Sequence, residues 1–219
     1  MTMLTRARAV VLAVAGLSLA ACGTVHPGSA AVVDGTTISM KSLDETAQAY
    51  CVLSLNAAQQ QGGAPAAISN TDLRRQAVVG LVSSVVAEDL AKKEDLQVRP
   101  SAWKVGSTVR AQLAKAFPKG DVDQIAKALE DDQKVSVIAI ALAAKRTGQA
   151  PTQANQQQLL QIGRDEITKA FASEDVKFAP RFGLSPSGKV RADTGSISVA
   201  PVDLEATPAE ELPDTQRCA

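Results

Sequence analysis

The chain has 219 residues, and its 23 lysines and arginines balance 23 aspartates and glutamates, so the formal net charge is zero. This balance excludes function through a strongly basic surface, and we expect no nucleic-acid partner. One histidine and three scattered cysteines exclude a histidine-rich zinc site and a Cys-x-x-Cys knuckle, so we expect no metal and no cofactor.

The N-terminal residues have the pattern of a secretory signal peptide. Arg6 and Arg8 precede an apolar run over residues 9–21, which is too short to span a bilayer as a helix. The run ends in Leu-Ala-Ala and is followed directly by Cys22. This ending resembles a bacterial lipobox, in which the cysteine receives a diacylglyceryl group before cleavage.

The lipobox resemblance implies a location as well as a modification. We expect a signal peptide over residues 1–21, a lipidated Cys22 as the mature N-terminus, and a short tether over residues 22–30. The lipid would insert in the bilayer and hold the protein on the extracytoplasmic face of the cell membrane. The alternative is an ordinary signal peptide cut after Ala20 or Ala21, with the cysteine incidental.

The following residues predict a mostly helical domain over residues 31–183, with short strands at its two ends. Two β-branched runs separated by Asp34-Gly35 are typical of a hairpin, because this dipeptide tolerates the positive φ of a tight turn. Residues 176–178 alternate in polarity and predict a closing strand. Three consecutive acids at 130–132 favour the start of a separate helix. The predicted helices begin at or near Ser39, Asn70 or Thr71, Ser101, Asp121, Glu130 and Pro151.

The C-terminal residues 184–219 are rich in Pro, Ser, Thr, Ala and acids. Such a composition buries too little apolar surface to offset the entropy of ordering the chain. We therefore expect a largely disordered tail, apart from a brief strand at residues 196–199.

Two cysteines remain once Cys22 is assigned to the lipid. Cys51 and Cys218 would lie in an oxidising compartment, where pairing is permitted. We favour a disulfide that ties the C-terminus to the first helix. The alternative is a buried Cys51 that packs as a small apolar residue and a free Cys218 thiol.

The two ends of the helical domain carry a family resemblance. Residues 32–39 read Val-Val-Asp-Gly-Thr-Thr-Ile-Ser, which resembles the opening of the N-terminal domain of SurA- and PrsA-type foldases. Residues 176–183 read Val-Lys-Phe-Ala-Pro-Arg-Phe-Gly, which resembles the closing strand of that family. The resemblance implies one helical chaperone domain, similar to the SurA N-terminal domain, whose C-terminal strand returns to its first strand.

Members of this family often carry a parvulin-type prolyl isomerase domain before the closing strand. Here residues 150–174 predict one polar helix, which leaves no room for such an insertion. The only histidine is His26, in the tether, whereas the isomerase site uses paired histidines. We therefore expect no isomerase domain and no enzyme activity.

The closing strand runs into a turn to which we assign a structural role. Arg181 is expected to pair with an acid of the first helix, Asp44 or Glu45, and so hold the chain ends together; the alternative is that it binds the carboxylate of a client. The turn consists of Pro180, Arg181, Phe182 and Gly183.

The resemblance implies a non-catalytic chaperone, or holdase, for unfolded or nascent secreted polypeptides. Such a protein needs an adaptable apolar groove between helices. The alternatives are a scaffold for one specific envelope partner, or a residual prolyl isomerase. The side chains predicted to line the groove, which alternatively complete the core, are Trp103, Phe117, Ile138, Leu142 and Phe171.

Overall fold

The computed structural model describes residues 27–60, 67–191 and 209–218. The predicted signal peptide, Cys22, most of the tether and the predicted strand at 196–199 lie outside these residues. Within them, every helix is too short or too polar to cross a membrane.

The fold is mostly helical, with a hairpin at the start of the described chain and a closing strand, as the sequence predicts. The five α-helices of the described residues are α1 (Met40–Gln60), α2 (Asn70–Lys93), α3 (Ser107–Ala116), α4 (Val122–Thr147) and α5 (Gln156–Ser173). The strands are β1 (Ser29–Val33), β2 (Thr36–Ser39), β3 (Ile68–Ser69), β4 (Val176–Phe178) and β5 (Arg217–Cys218).

A three-stranded antiparallel sheet joins the two ends of the helical domain. Its strand order is β2-β1-β4, so the closing strand pairs directly with the first strand. Asp34 and Gly35 form the predicted hairpin turn, with φ of 45° and 82°. Both values are positive, which is what this type of two-residue turn requires. Ser39 then caps α1, because its Oγ accepts the Ser42 N–H at 3.0 Å.

The core forms two clusters, and both α1 and α4 contribute residues to each of them. The larger one is centred on α2, whose Val78, Val82 and Val86 are fully buried and contact helices on more than one side. The smaller one joins α1, α3 and α4 through buried residues that include Leu113 and Ile125. A central helix with so wide an apolar stripe packs against several partners at once.

The predicted break in α4 is wrong, because Val122–Thr147 is one continuous helix. Its interior contains neither glycine nor proline, and the three acids find partners without ending the helix. Asp131 pairs with Lys127 at 2.6 Å, one turn away. Asp121 is the cap that begins the helix, accepting the backbone N–H groups of Asp123 and Gln124.

The prediction of a largely disordered tail is wrong for residues 184–191 and 209–218. Leu184 is buried and bridges to Val190. Further on, β5 pairs antiparallel with β3, and the Asn70 side chain donates to the Thr215 carbonyl oxygen at 3.2 Å. Composition alone missed this order because local contacts and a covalent link, rather than a large apolar content, hold these residues.

Candidate functional site

The structure places Cys51 of α1 and Cys218 of β5 at disulfide-bonding distance, in agreement with the predicted pairing. Their Cα atoms are 5.8 Å apart, and 167 positions separate them in the sequence. Cys218 is buried. This link fixes the C-terminal strand against the first helix.

The closing turn adopts a short 3₁₀ helix over Pro180–Phe182, followed by Gly183 with a φ of 59°. Phe182 is buried in the larger core cluster. The carbonyl oxygen of Phe182 accepts a hydrogen bond from Arg75 Nε of α2 at 2.9 Å. The turn therefore packs into the core, and Arg75 rather than Arg181 binds its backbone.

The predicted ion pair of Arg181 with the first helix is wrong. Arg181 is exposed. Asp44 instead pairs with Arg74 of α2 at 2.6 Å, and Glu45 lies 3.8 Å from Lys41 within α1. Asp44 thus pairs with a cation on the adjacent helix, and Glu45 lies near a cation one turn away on its own helix.

Four of the five side chains predicted to line a client groove are core residues. Phe117, Ile138, Leu142 and Phe171 are all less than 10% exposed, so that prediction is wrong for them and the core alternative holds. Their size and helical spacing suit the core, where large apolar side chains stabilise most. Trp103 is half-buried and lines a cavity of about 200 Å³ together with Ile138.

A groove formed by two adjoining cavities lies on the helical surface instead. The larger cavity, about 530 Å³, lies among α1, α2, α4 and α5. The smaller, about 350 Å³, lies between α4 and the segment that leads into α3. Asp132 and Ser136, one turn apart on α4, line both cavities and mark their junction. The aliphatic side chains of this groove are Leu53, Val79, Val105, Val109, Leu129 and Val135.

At the junction, Tyr50 of α1 donates a hydrogen bond to Asp132 Oδ1 at 2.8 Å. The ring of Tyr50 packs against both core clusters. Gly80 of α2 leaves room for the phenol, since a Cβ there would lie 3.0 Å from the Tyr50 hydroxyl oxygen. Burial, followed by the nearby carboxylate, raises the pKa of Tyr50, so the phenol stays protonated and acts as the donor.

The same surroundings act on the Asp132 carboxyl group. Desolvation raises its pKa, the Tyr50 hydrogen bond opposes that rise, and the neighbouring Asp131 adds to it. Arg164 of α5 lines the same cavity and weakly lowers the pKa. Asp132 and Arg164 thus place opposite charges on the groove.

A second carboxylate supports the wall of the smaller cavity. Glu130 is buried and accepts hydrogen bonds from Lys104 Nζ at 2.8 Å and from the Val105 N–H at 3.1 Å. Burial opposes its charged form, but these donors and Arg110 outweigh that effect and hold the pKa of Glu130 below its usual value. The ion pairs therefore fix the segment before α3 against α4.

The sequence does not show which group pairs with the Tyr50 hydroxyl. A buried tyrosine hydroxyl requires a partner, which is the signal that could have been used. Its partner, Asp132, is 82 positions away in the sequence, and the spacing of residues within α1 or α4 does not predict which residues of the two helices pair.

Among the described residues, no group of three or more His, Cys, Asp or Glu side chains is placed to hold a metal ion. No family model, curated protein or solved structure matches the chain significantly.

Proposed function

We propose that this protein is a lipid-anchored, non-catalytic chaperone whose groove holds unfolded or nascent secreted polypeptides. The observation that carries the proposal is the pair of adjoining cavities that meet at Asp132 and Ser136. A groove of this kind can accept successive side chains of an extended chain without any bond-forming step.

The lining of the groove supports weak and adaptable binding. Leu53, Val79 and Val135 are only partly buried, and Val109 is 42% exposed. Serine, glutamine and charged side chains interrupt these aliphatic groups. Such a mixture binds apolar segments while keeping the apolar patch too discontinuous for tight association.

The proposed anchor keeps the groove near the membrane. Because β1 begins at Ser29, a tether that starts at Cys22 spans only a few residues, at about 3.5 Å each when extended. Two or more acyl chains make such an anchor stable.

Intact-mass measurement of the membrane-extracted protein should find diacylglyceryl on Cys22; a mature chain that lacks the lipid contradicts the anchor.

The proposed relationship to SurA- and PrsA-type foldases is supported by how the two ends of the helical domain meet. The segment resembling the family's opening forms β1 and β2, and the segment resembling its close forms β4, which pairs with β1. A single module built in this way needs no isomerase domain to present a groove.

Replacing Val109 with lysine is expected to weaken the holdase activity several-fold while leaving stability nearly unchanged. Val109 lines the groove and is already exposed, so a charge there disfavours apolar clients without disturbing the core. The assay is light scattering after dilution of guanidine-unfolded rhodanese, with the amount of chaperone needed for half-suppression as the readout.

Val190→Lys is the matched control, because Val190 is 50% exposed and lines neither cavity of the groove. It should suppress aggregation as the wild type does. Equal losses in the two variants contradict a groove-based activity, and no suppression by stoichiometric wild-type protein contradicts the chaperone proposal itself.

A further inference from the structure

We infer that Asp132 and Arg164 recognise the main chain of an extended polypeptide, with Asp132 accepting a backbone N–H and Arg164 donating to a backbone C=O. The inference rests on the proposed polypeptide-binding function and names the part of the polypeptide that the groove binds. It assigns the groove a sequence-tolerant ligand, the peptide backbone, which every unfolded client shares.

The carboxylate of Asp132 has acceptor capacity to spare. Tyr50 donates to its Oδ1, which fixes the orientation of the side chain, while an ionised carboxylate offers about four lone-pair positions. Within the described residues Asp132 forms no ion pair, unlike its neighbour Asp131, which contacts Lys127 and Lys134. Its position at the junction of the two cavities makes it reachable from both.

Arg164 supplies the complementary donor. It lies on α5, it is exposed, and it lines the larger cavity together with Asp132. Across the described part of the chain its guanidinium makes no ion pair within 4.0 Å. A guanidinium presents five N–H donors in a fixed plane and suits a carbonyl acceptor.

The charge balance of the groove favours a peptide over a charged ligand. Its third charged side chain, Lys104, is engaged by Glu130 at 2.8 Å, which leaves one acid and one base. A cationic or anionic ligand would meet a like charge as well as an unlike one, whereas a peptide unit carries a donor and an acceptor. The aliphatic groups beside this pair, Leu53, Val79 and Val135, can then receive the side chains.

The test measures the fluorescence anisotropy of a labelled ten-residue peptide of alternating leucine and serine, and of the same peptide with alternate amides N-methylated. The wild type should bind the unmethylated peptide about tenfold more tightly, as expected for one charge-assisted hydrogen bond. Asp132→Leu should abolish this preference, because a side chain of similar size then carries no acceptor. Arg164→Gln should weaken binding of both peptides about equally.

Tyr50→Phe distinguishes a role of Asp132 in binding the peptide from a role in stabilising the fold. It removes the hydrogen bond between Tyr50 of α1 and Asp132 of α4 but leaves the carboxylate, so the preference for the unmethylated peptide should persist even where thermal stability falls. A preference that persists in Asp132→Leu arises from the bulk of the methyl groups and overturns the inference alone. If neither peptide binds the wild type, the proposed function is overturned together with the inference.

Discussion

Replacing Cys51 with alanine is expected to lower the free energy of unfolding by about 5 kcal/mol. The link to Cys218 closes a loop of 167 positions, and the chain-entropy treatment assigns such a long loop a stabilisation near the upper end of the observed range. Equilibrium denaturation by guanidine, in the absence of reductant, measures the loss.

The two single variants and the double variant provide the internal control. Either substitution breaks the same bond, so Cys218→Ala should cost as much as Cys51→Ala, and the double variant should cost no more than either. Losses that add in the double variant would mean that each thiol contributes through packing rather than through a shared bond.

Replacing Gly163 with alanine is expected to cost about 3 kcal/mol or more. Gly163 is buried on α5, where a Cβ would overlap the backbone of Ala139 on α4, including its carbonyl oxygen. A helix backbone cannot rotate aside as a side chain can, so the two helices must separate along their shared interface. Thermal and guanidine denaturation of Gly163→Ala measure the loss.

Gly106→Ala is the matched control for this substitution. Gly106 precedes α3 with a φ of −72°, and a Cβ there meets no atom within 4 Å. Its only expected cost is a weaker helix cap, less than about 1 kcal/mol. A Gly163→Ala variant no less stable than Gly106→Ala would show that α4 and α5 approach less closely than described.

The helical architecture could be predicted because residues close together in the sequence determine where its turns and helices begin. The Asp34-Gly35 turn and the Ser39 cap act within a few residues of themselves, and they appear in the structure where the sequence placed them. The separate helix start predicted at Glu130 is wrong because the chain there has no residue that ends a helix, and the acids pair with groups around one longer helix. Here Lys127 and the segment before α3 supply those partners.

The groove could not be predicted because it depends on which apolar side chains the core leaves outside. The largest ones, such as Leu142 and Phe171, are buried, and smaller ones such as Val79 and Val109 remain to line the surface. The contact between Tyr50 and Asp132 likewise depends on how two helices distant in sequence pack. Only the tertiary arrangement decides either outcome.

Photo-crosslinking in cells tests whether the groove holds unfolded secreted chains. Benzoylphenylalanine replaces Gln133, which lines the smaller cavity, or Gln157, an exposed glutamine of α5 that lines neither. Many different newly translocated polypeptides should crosslink at position 133 and few at position 157. A single defined product at position 133, or equal yields at the two positions, would contradict the chaperone account.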